Sequence, residues 1–155
     1  MDELDFLILN ELQEDGRTPF TQIAKKASVA ESTIRSRYAN LVEEGIVQTI
    51  AVIDPFKVGY NAPALIGINV EPGMVYKVAE ALEHLSGVSY LVLTLGGYDL
   101  VLETFCRDRA HLTRFITSQI QTIPGIRSTE TLVIGRICKL SFFWRPENNL
   151  LDQES

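Results

Sequence analysis

Cysteine, histidine and methionine occur twice each in the 155 residues, and tryptophan once. With no Cys-x-x-Cys, no His-x-x-x-His and no Walker-type glycine loop, the usual zinc and nucleotide-phosphate motifs are absent. Two cysteines without an export signal point to reduced thiols in a cytoplasm. No window approaches about 18 uncharged apolar residues, which excludes a transmembrane helix. The acidic start, Met1-Asp2-Glu3-Leu4-Asp5, is unlike a secretory or mitochondrial leader. Cations are also short: 14 Lys and Arg stand against 20 Asp and Glu, a net charge of −6. Taken as one number, that balance points away from nucleic acid. What is present is ordinary for a globular protein, 46% apolar and 22% charged, with enough apolar surface to offset chain entropy. The length suits one domain or two small ones.

The first half has helical period. Leu4, Ile8 and Leu12 recur every four residues, Asp2 is placed to cap and Asp5 lies in the first turn. Asp15-Gly16 ends this helix. A second is expected over Phe20 to Ala27, then a break at Ser28-Val29-Ala30. A third is expected over Glu31 to Glu44, with Ile34, Tyr38, Leu41 and Val42 inward and Gly45 closing it. The β-branched run Ile46 to Ile53 reads as a strand. Three short helices and a strand form a winged helix-turn-helix over residues 1–53, followed by a linker at 54–63.

The second half alternates differently. Ala64 to Glu71, Val88 to Leu95 and Leu100 to Cys106 read as strands, and Ile126 to Trp144 as one more, in one piece or two. Met74 to Leu85 and a segment capped by Asp108 read as helices, the latter with Leu112, Phe115, Ile116, Ile120 and Ile123 inward. The order strand, helix, strand, strand, helix, strand is the βαββαβ pattern of a ferredoxin-like α+β domain over 64–144, with a flexible tail at 145–155. Such a sheet leaves one face uncovered, and its apolar residues fall on both faces, so a second copy of the chain is the simplest cover.

Charge by region refines the total. Residues 1–50 carry nine acids and five cations, yet residues 25–37 carry Lys25, Lys26, Arg35 and Arg37 against Glu31 alone. The outward positions of the third helix, Ser32, Thr33, Arg35, Ser36 and Arg37 with Lys25 beside them, suit contacts with phosphates and base edges of double-stranded DNA. The same trihelical segment with its small basic patch also suits a protein-interaction module.

In the second half, Gly96-Gly97-Tyr98-Asp99 follows Leu95. Its glycines permit a tight turn and leave N–H groups open to a small carboxylate. Asp99 suits an ammonium group, Tyr98 offers a ring wall, and Thr129 and Thr131 share one side of the last strand. The motif is equally a good hairpin turn with no ligand. Nothing assembles a catalytic centre: His84 and His111 are expected at the surface, and Cys106 and Cys138 in strands as small apolar residues.

These segments together resemble the Lrp/AsnC, or feast/famine, family of transcription regulators, from Asp2 to about Lys139. Asp2-Glu3-Leu4-Asp5, Ile8-Leu9 and Leu12 to Arg17 resemble its opening helix. Ile23-Ala24-Lys25-Lys26, Ser32-Thr33-Ile34, Arg37 and Leu41 to Val47 resemble its helix-turn-helix, and Asp54-Pro55 with Gly59 its linker. Gly96-Gly97-Tyr98-Asp99, Ile123-Pro124-Gly125-Ile126, Thr129-Glu130-Thr131 and Lys139 resemble its effector domain.

The resemblance implies a sequence-specific DNA-binding regulator that dimerises through its effector domains and assembles further, often to octamers. It also implies an amino acid or related metabolite as effector near Gly96, Gly97, Tyr98 and Asp99, with Thr129 and Thr131 as further candidates. No cofactor, metal, membrane or enzymatic activity is implied. Two other functions stand beside it: a ligand-sensing oligomer without DNA readout, and an enzyme on the same frame, since sirohaem decarboxylase subunits resemble this family. The chain departs from the family pattern at Ala30, which cannot cap the third helix, and at Leu95, where the family usually has Thr.

Overall fold

The computed structural model describes residues 1–142, so the expected tail at 145–155 and the end of the last expected strand lie outside the described residues. Two compact units emerge, Ile53–Cys138 and Met1–Val52 joined by the segment that begins at Lys139.

In the first unit, α1 (Glu3–Glu14) starts at a capping box. The Asp2 carboxylate accepts from the Leu4 and Asp5 N–H groups at 3.0 and 3.1 Å, and Asp5 accepts from the Asp2 N–H at 2.9 Å. Two of the orphan donors that every helix start leaves are thereby paired, and one more at Asp2 itself. Helix α2 (Phe20–Ala27) ends in Ser28 at φ 56°, a left-handed turn unusual for a side-chain-bearing residue. Helix α3 (Glu31–Glu43) begins at Ala30 with no side-chain cap, as that residue requires. Gly45 at φ 70° closes it. Ile8, Leu9, Ile23, Ala24, Ile34 and Leu41 form the core shared by the three helices.

Two expectations fail here. Val42 is 44% exposed rather than inward. Among the described residues the run Ile46 to Ile53 forms no strand and pairs with no other segment, and Ile50 and Ile53 are 60% and 65% exposed. High β propensity makes a strand only where a partner offers an edge. Among the described residues the helix-turn-helix therefore has no paired wing, and a groove of about 1220 Å³ opens between α1, this run and Leu140–Phe142.

The second unit is a four-stranded antiparallel sheet in the order β2-β3-β1-β4. Its strands are β1 (Ala62–Val70), β2 (Val88–Leu93), β3 (Leu100–Cys106) and β4 (Ile126–Val133). Helix α4 (Val75–Glu83) and helix α5 (Arg109–Phe115), which a π turn extends over Ile116–Ile120, cover one face. Alternate residues of β1, Ala62, Ala64, Ile66, Ile68 and Val70, meet Val78, Leu82, Leu112, Phe115 and Ile120 beneath them. This is the expected ferredoxin-like arrangement. The last strand stops at Val133, so Cys138 is exposed outside any strand, while Cys106 is buried in β3 as expected. On the other face lie Leu65, Tyr90 and Leu132, all exposed.

Candidate reading helix and effector turn

On α3, Ser32, Arg35 and Ser36 form one exposed stripe at helical spacing, with Lys25 exposed on α2. Thr33 and Arg37 are half-buried on the neighbouring stripe. The cations are less available than their count suggests. Arg35 donates to Glu31 at 2.6 Å and lies 5.5 Å over the Phe20 ring. Lys26 pairs with Glu11 at 2.5 Å. Arg37 donates to Asp2 at 2.7 Å and to both oxygens of Asp5 at 3.3 Å.

Of the four cations between Lys25 and Arg37, Lys25 alone has no ion pair among the described residues. The acids that neutralise the patch come mostly from α1, which sequence windows cannot bring alongside.

Arg37 thus acts as a clasp between α1 and α3. Asp5 is only 6% exposed, so its charge needs that partner. The Asp5 N–H donating to Asp2, reinforced by Arg37, holds the Asp2 carboxyl below its ordinary 3.8. The same pairing, chiefly the hydrogen bond to Asp2, raises the Arg37 guanidinium above its ordinary value. A depressed carboxyl stabilises the fold above its unfolded pKa and loses that contribution as pH falls through the folded one. The first unit is therefore expected to soften below pH 3.8. Arg37→Gln is expected to lower Tm at neutral pH and to lessen this acid dependence in part, since the Asp5 N–H still holds Asp2. It should leave the salt slope of DNA binding nearly intact, whereas a lost phosphate contact would cut it by about 0.9. Thermal melts across pH and DNA titrations across salt check both.

In the second unit, the turn after β2 is tied to β1. The Asp99 carboxylate accepts from the Val70 N–H at 2.8 Å, where the β1–β4 register shifts, and its own N–H donates to the Ile68 carbonyl at 3.0 Å. Thr94 closes the loop from the other side, its hydroxyl donating to the Tyr98 carbonyl at 2.6 Å. Asp99, expected to meet an ammonium group, is already engaged as a clasp through one oxygen. Asp99→Ala leaves the Val70 N–H unpaired and is expected to destabilise the sheet unit by about 1–3 kcal/mol. Asp99→Asn keeps an acceptor and should recover most of that in urea unfolding.

The Tyr98 ring lies on Gly67 of β1: a Cβ at Gly67 would stand 2.6 Å from it. The Tyr98 hydroxyl donates to Glu130 of β4, and that bond raises the phenol above its ordinary 10.0. Gly67 and Glu130 are cross-strand partners, so ring, glycine and carboxylate share the open sheet face. Gly96 and Gly97 are exposed, lie outside the left-handed region and face open space where a side chain would be. Turn geometry does not demand them. Leu95 beside them is 98% exposed.

Thr129 and Thr131 are not part of this group within one chain. They pair with Ile68 and Ile66, which places them on the helix side of the sheet, and Thr129 accepts from the Gln121 amide at 3.0 Å. Reading β4 alone shows that the two threonines share a side, but only the register shows which side. That register also brings in Gly67, and gives Glu130, quoted above only as part of a motif, a place beside the Tyr98 hydroxyl.

Among the described residues, no group of three or more His, Cys, Asp or Glu is placed to hold a metal ion, and no helix is long and apolar enough to cross a membrane. Residues 1–42 match the AsnC-type helix-turn-helix domain, and residues 63–141 the Lrp/AsnC ligand binding domain. A helix-turn-helix transcriptional regulator of Pyrococcus abyssi is 40% identical over 92% of this chain and 90% of its own length. The structure of E. coli AsnC, 29% identical, superposes with a TM-score of 0.79 over 94% of this chain and 99% of that one. A Neisseria meningitidis transcriptional regulator solved as a complex with L-Met shares the fold, with a TM-score of 0.80 at 22% identity over 97% of this chain and 99% of that one.

Proposed function

This chain belongs to the Lrp/AsnC family of DNA-binding transcriptional regulators, and from that premise we propose that its DNA binding responds to an amino acid or a related small metabolite. The observation that carries the effector is the turn at Gly96-Gly97. Two glycines that the chain's own backbone does not require stand open beside a fixed Tyr98 ring and inside the segment that matches a ligand binding domain. Open backbone N–H groups suit a carboxylate, the ring supplies an apolar wall, and Glu130 supplies a negative charge for an ammonium group. The fold neighbour's L-Met complex is of the same ligand class.

In this account Lys25, Ser32, Thr33, Arg35 and Ser36 meet DNA, while Arg37 holds the reading helix in place. The exposed Leu65, Tyr90 and Leu132 of the open sheet face meet a second copy of the chain, giving dimers that assemble to octamers in a cytoplasm. Paired reading helices then imply a roughly palindromic operator. The chain is a regulator without a resident cofactor and without a catalytic role.

A thermal-shift screen of the common amino acids tests the effector. A ligand at about 100 times its Kd adds about 2.7 kcal/mol of stability, a shift of several degrees in a domain of this size. If no amino acid moves the midpoint, the effector class proposed here is wrong.

A further inference from the structure

We infer that Glu31 is a specificity-determining residue of the helix-turn-helix, which holds Arg35 in an ion pair that DNA must open before Arg35 can be used. Glu31 is the first residue of α3 and Arg35 lies one turn on, its guanidinium nitrogen 2.6 Å from the Glu31 carboxylate. Arg35 is 67% exposed at the side chain and lies over the Phe20 ring, so it is held at the surface rather than buried. Lys26 and Arg37 are paired to the acids of α1, and the reading face is left with Lys25 as its unpaired cation among the described residues.

The consequence follows from charge exchange. A phosphate that takes Arg35 from Glu31 replaces one carboxylate contact by one phosphate contact, and it leaves the Glu31 charge unpaired beside the DNA backbone. Such an exchange yields little attraction on arbitrary sequence. A base edge that accepts both guanidinium N–H groups adds a contact that the pair cannot match, and only the correct site offers it. Glu31 therefore suppresses background binding more than specific binding. The inference rests on α3 being the helix that meets DNA.

The test uses the full-length protein, a short duplex of random sequence and a range of salt. Glu31→Gln frees one cation. Its affinity for random duplex should rise roughly five- to tenfold near ~0.1 M salt, and the log K against log salt slope should steepen by about 0.9. The double variant Glu31→Gln, Arg35→Gln should return both quantities to the wild-type values. Glu31→Asp keeps a carboxylate at the helix start one turn before Arg35 and should stay near the wild-type values, and the thermal midpoints of all variants control for folding. An unchanged affinity in Glu31→Gln, or a gain that persists without Arg35, overturns the role of the pair while leaving DNA binding in place. If neither wild type nor variant holds any duplex at low salt, α3 does not meet DNA, and the inference falls with that reading.

Discussion

Ile34→Ala lowers the stability of the helix-turn-helix unit by about 3 kcal/mol and abolishes DNA binding near 37 °C. Ile34 is fully buried on the inner side of the reading helix, against Ile8, Ile23 and Leu41. Removing its outer carbons costs their transfer energy and leaves a cavity that three short helices cannot close. A unit of this size holds only a few kcal/mol in total, about 0.05–0.15 kcal/mol per residue. The loss therefore consumes most of it and moves the midpoint by about 15 °C. The sheet unit has a separate core and should melt where it does in the wild type. Calorimetry resolves the two transitions. A single transition displaced as a whole would show that the two cores unfold together.

Gly67→Ala removes the response to amino acids while leaving the sheet standing. Its Cβ would sit 2.6–2.7 Å from three atoms of the Tyr98 ring. The Gly67 backbone is held between Val101 and Glu130 by its neighbours' ladders, so the ring has to yield. Displacing it costs about 1–3 kcal/mol as overpacking and separates the phenol from Glu130. The stabilisation of about 2.7 kcal/mol expected from a saturating amino acid should then vanish. The phenol, raised in the native turn by its bond to Glu130, should titrate nearer to the ordinary value in an ultraviolet pH scan. Tyr98→Phe loses the hydroxyl alone, keeps the ring on Gly67 and should retain part of the response. Full ligand response in Gly67→Ala would remove Tyr98 from the effector site.

The sequence revealed what local periodicity and end signals encode. Helix α2 runs over the expected Phe20–Ala27, β3 over the expected Leu100–Cys106, and Asp2, Asp108 and Gly45 act as the caps their types suggest. The sequence fell short where a partner distant in sequence decides. Ile46 to Ile53 has the composition of a strand but meets no edge to pair with among the described residues. Thr129 and Thr131 share a side, yet the β1 register turns that side toward the helices. Arg37 has the outward spacing of a DNA contact, but Asp2 and Asp5, more than thirty residues earlier, claim it. Lys26 and Glu11 repeat that pattern. The total charge of −6 misled because it hid a basic window. The window in turn hid the α1 acids that pair with its cations.

The central claim is a coupling between the Gly96-Gly97-Tyr98 turn and the reading helix. The direct measurement is the Kd of the full-length protein for its operator at fixed salt, with and without each amino acid that raises its thermal midpoint. Coupling between two sites on such a protein is about 1–3 kcal/mol. The account predicts that at least one such amino acid changes the Kd by about fivefold or more, and that DNA changes the affinity for that amino acid by the same factor. An amino acid that binds and stabilises the protein yet leaves the Kd for DNA unchanged would contradict it.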